Sequence, residues 1–371
     1  LTRARKPPAD GSSSAARVAA ATPRGGRTPP EKSAAEPPKR GSAAAPRQRP
    51  PTASKATSST NKPLTKAATL TRPRIAMPIG SIRGAHWRER LIEYAKLARM
   101  HKPIGAALLL WPTWWALWLA AGDFPPWPSL IIFTLGVFLM RSAGCVINDY
   151  ADRKLDPQVK RTRERPIAAG KVTPREALIV FGALLATSFL LVLFTNALTI
   201  KLSLIGAFLA ATYPFIKRYT HLPQVYLGAA FGWSIPMAFA AVSNTLPPLC
   251  WLLFVANVLF STIYDTEYAM VDRDDDVRAG AKSTAILFGE ADLPIIGILM
   301  VSFLIAMALV AQRGHLHAWY FVGVALAAAL FAWQQWIMRG HDRDACFAAF
   351  RNNNWVGMVL WAGIVVSLAM K

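Results

Sequence analysis

Two groups of acidic residues carry the clearest chemical signal in this 371-residue sequence. The first contains Asn148, Asp149, Asp152 and Asp156, with Asn148, Asp152 and Asp156 at i, i+4 and i+8. The second contains Asp265 and Glu267, then Asp272, Asp274, Asp275 and Asp276, with Asp265, Asp272 and Asp276 at i, i+7 and i+11. On a continuous helix each triplet forms one stripe of oxygen ligands. Carboxylates at that spacing repel one another unless they share a cation. Mg²⁺ takes one or two carboxylates per site and completes its shell with water and phosphate oxygens. Two facing stripes therefore suit one or two Mg²⁺ ions and, through them, a diphosphate. Arg161, Arg165, Lys217, Arg218 and Lys282 are candidates for neutralising the remaining phosphate charge. The competing reading is a solvated, self-paired charge run, the usual fate of clustered charges.

The elements that must position these groups are apolar. Hydrophobic residues make up 53% of the chain and charged residues 17%, against about 25% charged in a soluble protein. Runs long enough to cross a bilayer as helices fall near 104–121, 129–147, 175–195, 198–216, 223–242, 248–266, 293–312, 318–337 and 354–370. Trp111, Trp114, Trp115 and Trp118 suit a helix approaching the membrane interface. Pro112 and Pro236 fall inside spans, where neighbouring helices can satisfy the freed backbone groups. The pattern predicts an all-α integral membrane protein of nine transmembrane helices. Cys145, Cys250 and Cys346 lack metal-ligand spacing and read as packing residues.

Charge alternates from loop to loop. The loop after the second span carries Arg153, Lys154, Lys160, Arg161, Arg163, Arg165, Lys171 and Arg175. Later even loops carry Lys217 and Arg218, then Arg273, Arg278 and Lys282, then Arg339, Arg343 and Arg351. The odd loops are nearly bare: 121–128 and 243–248 have no Lys or Arg, the third has Lys201 and the seventh Arg313. The positive-inside rule places the N-terminus and the even loops in the cytoplasm, with Lys371 on the far side. Both acidic groups then share the cytoplasmic side, which weakens the solvated-run reading. Ion transport through them is a rival from another class. But the acids sit at span ends, Arg141 is the main charge inside a span, and a midplane carboxylate site is missing.

The run from Asn148 to Pro166 contains N-D-x-x-D-x-x-x-D and a trailing R-[ST]-x-x-R-P. It resembles the signature of the UbiA superfamily of intramembrane aromatic prenyltransferases. Tyr264-Asp265-Thr266-Glu267-Tyr268-Ala269-Met270-Val271-Asp272-Arg273-Asp274-Asp275-Asp276 resembles the second acidic motif of its 4-hydroxybenzoate branch, in the bacterial form. Lys102-Pro103-Ile104-Gly105, the stretch from Tyr213 to Gln224, and Gly232-Trp233-Ser234-Ile235-Pro236-Met237 are similar too. His101 departs from the pattern, standing where Asp is frequent. The resemblance covers about residues 88–371. It implies nine helices around a central cavity, with cytoplasmic caps carrying the acidic motifs. It also implies transfer of a polyprenyl chain from polyprenyl diphosphate to carbon 3 of 4-hydroxybenzoate, with release of diphosphate, in ubiquinone biosynthesis. By motif position, Asp152 and Asp156 match the first metal-binding pair, with Asn148 and Asp149 in the same shell. Asp272 and Asp276 match the second pair, and Arg218 a basic position at the diphosphate. Phe231, Trp233 and Tyr264 are candidates for lining a carbocation site, although aromatic residues on apolar spans are more often packing. Arg99 and Lys102 are candidates for the acceptor carboxylate, and His221 reads as a loop residue. The rivals are a superfamily member with a naphthoate, homogentisate, haem or chlorin acceptor, and the transporter.

Residues 1–80 are a different material. They hold 16 Lys/Arg against 3 Asp/Glu, 13 of the 27 prolines and no aromatic residue. Such a segment cannot bury enough apolar surface to offset its chain entropy and reads as a disordered basic tail. The first methionine is Met77, so the native start is expected there. A transit peptide, which would put the protein in the mitochondrial rather than the bacterial inner membrane, and a functional tail are the alternatives. The overall charge of +21 would fit nucleic acid, but the tail has no aromatic interleaving and no folded module, so no nucleic-acid partner is expected. The partners expected are the two substrates and the lipid bilayer.

Overall fold

The computed structural model describes residues 86–102, 104–158 and 162–370. The basic tail and Arg161 lie outside them. The described residues form twelve α-helices: α1 His86–Leu97, α2 Ile104–Ala121, α3 Trp127–Ala151, α4 Pro174–Val192, α5 Ala197–Ile216, α6 Pro223–Gly232, α7 Ser234–Ser243, α8 Pro248–Ala279, α9 Thr284–Phe288, α10 Asp292–Arg313, α11 Tyr320–Ile337 and α12 Arg343–Ala369.

Local chemistry sets many of their ends. Thr173 and Glu176 form a capping box before α4, with Pro174 at its first position. The Asn196 side chain accepts the Thr199 amide at 2.9 Å at the start of α5. α8 stops at Gly280, whose φ of 67° is left-handed and free of Cβ strain only for glycine.

Among the described residues, eight segments are long and apolar enough to cross a membrane; α6 and α7 together make one of them. The ninth expected span, 354–370, is the second half of α12, which begins eleven residues earlier at Arg343 with polar residues. The expected span at 223–242 is present as Pro223–Ser243, built from α6 and α7 joined at Trp233, whose indole donates to the Leu202 carbonyl at 2.8 Å. Two other expectations need correction. The span at 248–266 runs on to Ala279 through the whole second acidic motif. α3 stops at Ala151, so the first acidic group does not continue as a helical stripe.

Most helices adjacent in sequence pack on one another, α8 also packs on α6, α10 and α12, and α2 packs on α7 and α12. The α8–α12 half, with α2, is filled by a core centred on Trp115, Phe260 and Phe303, the last two stacked at 5.1 Å. A smaller cluster of Leu97, Val146, Ile167, Val172 and Ala177 seats α1 against α3 and the turn before α4. The apolar open space is lined by residues of α2 to α7. Apolar side chains also face outward: Phe194, Ile179, Phe208 and Ile298 are 80%, 70%, 65% and 65% exposed. Such surface is costly in water and suits lipid. The chain is a multi-pass membrane protein.

Candidate active site

The C-terminal ends of α3 and α5, the start of α6 and the polar half of α8 converge on one cleft of about 170 Å³. It brings together Asn148, Asp152, Asp156 and Arg165 from the first motif and Asp265, Asp272, Asp275 and Asp276 from the second. Lys217 and Lys282 complete the charged lining.

The first motif is set by the end of α3. Asp152 is the C-cap, and its carbonyl accepts the Leu155 and Asp156 amides at 2.7 and 2.9 Å. This tight turn, followed by one turn of 3-10 helix from Asp156, still returns Asp156 to the cleft. One Asp152 oxygen pairs with Lys217. The other, Oδ1, is buried and has no hydrogen-bond partner among the described residues. Asp156 pairs with Arg165 at 3.1 Å. Burial raises the Asp156 pKa above the ordinary carboxylate value; Arg165 opposes the shift, and Asp149 and Asp152 add to it. Asp149 points elsewhere. It is fully buried and receives both Arg99 guanidinium nitrogens, at 2.8 and 3.1 Å, with Arg165 at 3.2 Å. This fork engages both Asp149 oxygens and occupies Arg99.

The loop after α8 is tied across the cleft mouth. The Lys282 amide donates to the Lys217 carbonyl at 3.2 Å, its Nζ to the Tyr219 carbonyl at 3.1 Å, and the Thr284 amide to Gln224 Oε1 at 3.1 Å. Arg218 is used structurally: it donates to the Ala151 carbonyl at 2.7 Å and stacks over Phe215. Lys102 is exposed in the turn before α2 and does not line the cleft. Tyr213, Gln224 and Tyr268 also line it; no spacing signal marks them.

Beneath the cleft lies an apolar cavity of about 390 Å³, bounded by α2 to α7. Its α3 lining reaches Gly144, and the cleft begins at Asn148, about 6 Å further along the helix at 1.5 Å per residue. Phe231 and Trp233 line this cavity. Tyr264 is buried, with its hydroxyl 3.0 Å from Ser261. Arg141 is not among the described residues lining either space, but it neighbours Phe231, which lines the cavity. It precedes Asn148 by two turns on the same face of α3, and its guanidinium donates to Cys145 Sγ at 2.8 Å and lies 6.0 Å from the Phe231 ring. A Cβ at Gly105 would come within 2.6 Å of Arg141 Nη2, so glycine there makes room for the guanidinium. Sequence reasoning noticed Arg141 only as an anomaly. Its seven-residue offset from Asn148 was the available signal.

Residues 109–362 match the UbiA prenyltransferase family. The chain belongs to the UbiA prenyltransferase family. A 4-hydroxybenzoate octaprenyltransferase of Xylella fastidiosa (strain M23) is 58% identical over 282 residues, 76% of this chain and 94% of that protein. The same-named protein of Xanthomonas campestris pv. campestris (strain B100) is 58% identical over 285 residues, 77% of this chain and 95% of that one. The apo UbiA homologue of Aeropyrum pernix K1 superposes with a TM-score of 0.63 at 26% identity, covering 70% of this chain and 97% of that one. A UbiA homologue of Archaeoglobus fulgidus, bound to GPP and Mg²⁺, superposes at 0.58 with 17% identity over 75% of this chain and 99% of that one. At that identity it bears on the fold alone.

The UbiA cleft has the donor chemistry a hard divalent ion needs. All its candidate ligands are oxygens, and Asp152 Oδ1 is a buried acceptor without a protein partner among the described residues. No three His, Cys, Asp or Glu groups form a ready-made cage among the described residues.

Proposed function

We propose that this UbiA protein transfers a polyprenyl chain from polyprenyl diphosphate to carbon 3 of 4-hydroxybenzoate, releasing diphosphate, as a step of ubiquinone biosynthesis. The observation that carries the reading is the stacking of an acidic, cation-edged cleft directly on an apolar cavity. An amphiphile with a charged head and a hydrocarbon chain fits that pair of spaces. The high identity to two proteins named for this reaction supports the acceptor.

Asp152, Asp156, Asp272 and Asp276 are the residues that would hold Mg²⁺, with Asn148 beside them. When bound, Mg²⁺ stabilises the negative charge that develops on the departing diphosphate. Lys217, Lys282 and Arg165 add protein charge for the same purpose, in a site pre-arranged before reaction. Arg161 belongs to the same basic loop and is proposed as a further contact. The allylic C–O bond breaks heterolytically, and its electron pair leaves with the diphosphate. The ring carbon ortho to the phenol oxygen attacks the allylic cation, and loss of the ring proton restores aromaticity. The apolar walls around Phe231 and Trp233 keep water from the cation. Arg141, beside the cavity-lining Phe231, supplies the positive charge for the acceptor carboxylate, because Arg99 is engaged by Asp149 and Lys102 is exposed in the turn before α2. The protein works in the bacterial inner membrane with its N-terminus and the cleft on the cytoplasmic side, as the loop charges direct.

Membranes containing the protein, supplied with Mg²⁺, a polyprenyl diphosphate and a panel of aromatic acceptors, test the assignment. Prenylated 4-hydroxybenzoate should form. Asp152→Ala and Asp272→Ala should each lower the rate by about 100-fold or more, the scale of losing charge stabilisation at a leaving group. Preferential use of another acceptor would refute the substrate, and full activity in both variants would refute the metal site.

A further inference from the structure

α1 has three faces with three different surroundings. It is a helix of 12 residues, about 18 Å long at 1.5 Å per residue and too short to cross a hydrocarbon core of about 30 Å. At about 100° per residue, Arg90, Tyr94 and Leu97 share one face, and this face grips the bundle. Leu97 is fully buried. Arg90 pairs with Glu176 in the first turn of α4 and donates to the Lys171 carbonyl at 2.9 Å. The Tyr94 hydroxyl donates to Glu176 Oε1 at 3.1 Å. A second face carries Glu89, Glu93 and Lys96, with Lys96 Nζ 2.8 Å from Glu93. The face between them carries Trp87, Leu91 and Ile92, which are 51%, 54% and 54% exposed.

Large apolar side chains gathered on one open helix face mark an interaction surface. Three observations select lipid as its cover. First, α1 is tied to Glu176, and Ile179, about 4.5 Å further along α4, already belongs to the outward apolar surface. The lipid-facing surface therefore begins within one turn of the α1 anchor. Second, tryptophan gathers at membrane–water interfaces, and Arg88, the one charge within the apolar face, holds its guanidinium 5.8 Å from the Trp87 ring. Its long stem lets that charge reach headgroups. Third, residues 1–80, which precede α1, bring 16 Lys/Arg and no aromatic residue, a poor match for an apolar face. We propose that α1 is an interfacial helix lying in the phospholipid leaflet on the cleft side, with Trp87, Leu91 and Ile92 inserted at the boundary of headgroups and acyl chains. Arg99, just beyond α1, forks Asp149, the neighbour of the cleft-lining Asn148. α1 thereby ties the cleft to the level of the headgroups.

The test uses the full-length chain in vesicles of phosphatidylcholine and phosphatidylglycerol, spin-labelled at Trp87→Cys, Leu91→Cys, Ile92→Cys or Lys96→Cys, one at a time. The native Cys145, Cys250 and Cys346 are buried, which directs the label to the introduced thiol. Power-saturation EPR compares collisions with oxygen, which concentrates in hydrocarbon, and with water-soluble Ni(II)-EDDA. Labels at Trp87, Leu91 and Ile92 should favour oxygen and lie about 5–10 Å inside the headgroup boundary. The label at Lys96 should favour nickel. Nickel access at Leu91 and Ile92 equal to that at Lys96 would overturn the proposal, because the face would then meet water. Shielding of both positions from both reagents would overturn it too, because protein would then be the cover, either the basic tail or a second copy of the chain. A second readout needs no label: Trp87→Phe should lower the share of tryptophan fluorescence quenched by lipids brominated near the headgroup, and an unchanged share would contradict the insertion. Neither readout uses substrate or metal, so the result stands apart from the reading of the cleft.

Discussion

The residue that most changes the chemical picture is Arg141, a cation set among apolar helices beside Phe231 of the cavity lining. Its donor to Cys145 Sγ satisfies little of a guanidinium's five N–H groups. An acceptor carboxylate would pair with the rest. Arg141→Met should raise the KM for 4-hydroxybenzoate by one to two orders of magnitude, roughly the worth of a charge-assisted contact, and leave the donor KM near its original value. Arg141→Lys should recover part of the loss. Steady-state kinetics with each substrate varied in turn separate the two effects.

Asp156 supplies a pH dependence at the same scale. Its pKa is raised, chiefly by burial, so protonation begins above the ordinary carboxylate value of about 4. A proton competes with the metal, so half-saturating Mg²⁺ should climb as pH falls through that range. Stability runs the other way. A raised acid pKa means the folded protein pays a penalty for the ionised form at neutral pH, and the penalty fades as pH falls through the folded pKa. Metal-free thermal stability should therefore not fall in step with Mg²⁺ affinity on this residue's account. Titrations of Mg²⁺ and of melting temperature across the same pH series check both signs. The candidates legible in sequence were those with periodic spacing, Asp152, Asp156, Asp272 and Asp276. The burial of Asp149 under Arg99 was not, because that pair joins residues fifty positions apart and only the tertiary fold brings them together.

At the scale of elements, α2 runs from Ile104 to Ala121, as its apolar run predicts, between Pro103 and Gly122. α8 overran its prediction by thirteen residues because hydropathy ends a span where the charges begin, whereas the helix continues through them. α3 did the reverse: regular spacing invited a longer helix, and the turn at Asp152 ended it. Gly280 shows how an element boundary serves the site. Its left-handed backbone ends α8 and starts the loop that returns Lys282 to Lys217. Gly280→Ala should cost about 1 kcal/mol, read as a lower melting temperature, and should weaken donor binding more than acceptor binding.

The whole molecule divides its labour between two spaces of opposite character. The outward apolar faces and the loop charges make a membrane protein legible from composition alone, but composition could not say that the cavity sits in the α2–α7 half. Only tertiary packing decides that: Trp115 of α2 turns to Phe260 and Phe303, which fill the α8–α12 half. If the cavity houses the hydrocarbon chain, filling it should select against long donors. Ala210→Phe, which places a ring inside its lining, should lower kcat/KM for a long polyprenyl diphosphate by about tenfold or more, the overpacking cost of a filled site. A five-carbon allylic diphosphate should be affected far less.

The central claim is metal-dependent prenylation of 4-hydroxybenzoate at this cleft. Its most direct test is the mass of the lipid product formed by membranes containing this protein, with Mg²⁺ and again with excess EDTA. The account predicts 4-hydroxybenzoate enlarged by one polyprenyl chain in the first case and none in the second. The same product formed in EDTA, or no such product with Mg²⁺ and both substrates present, would contradict it.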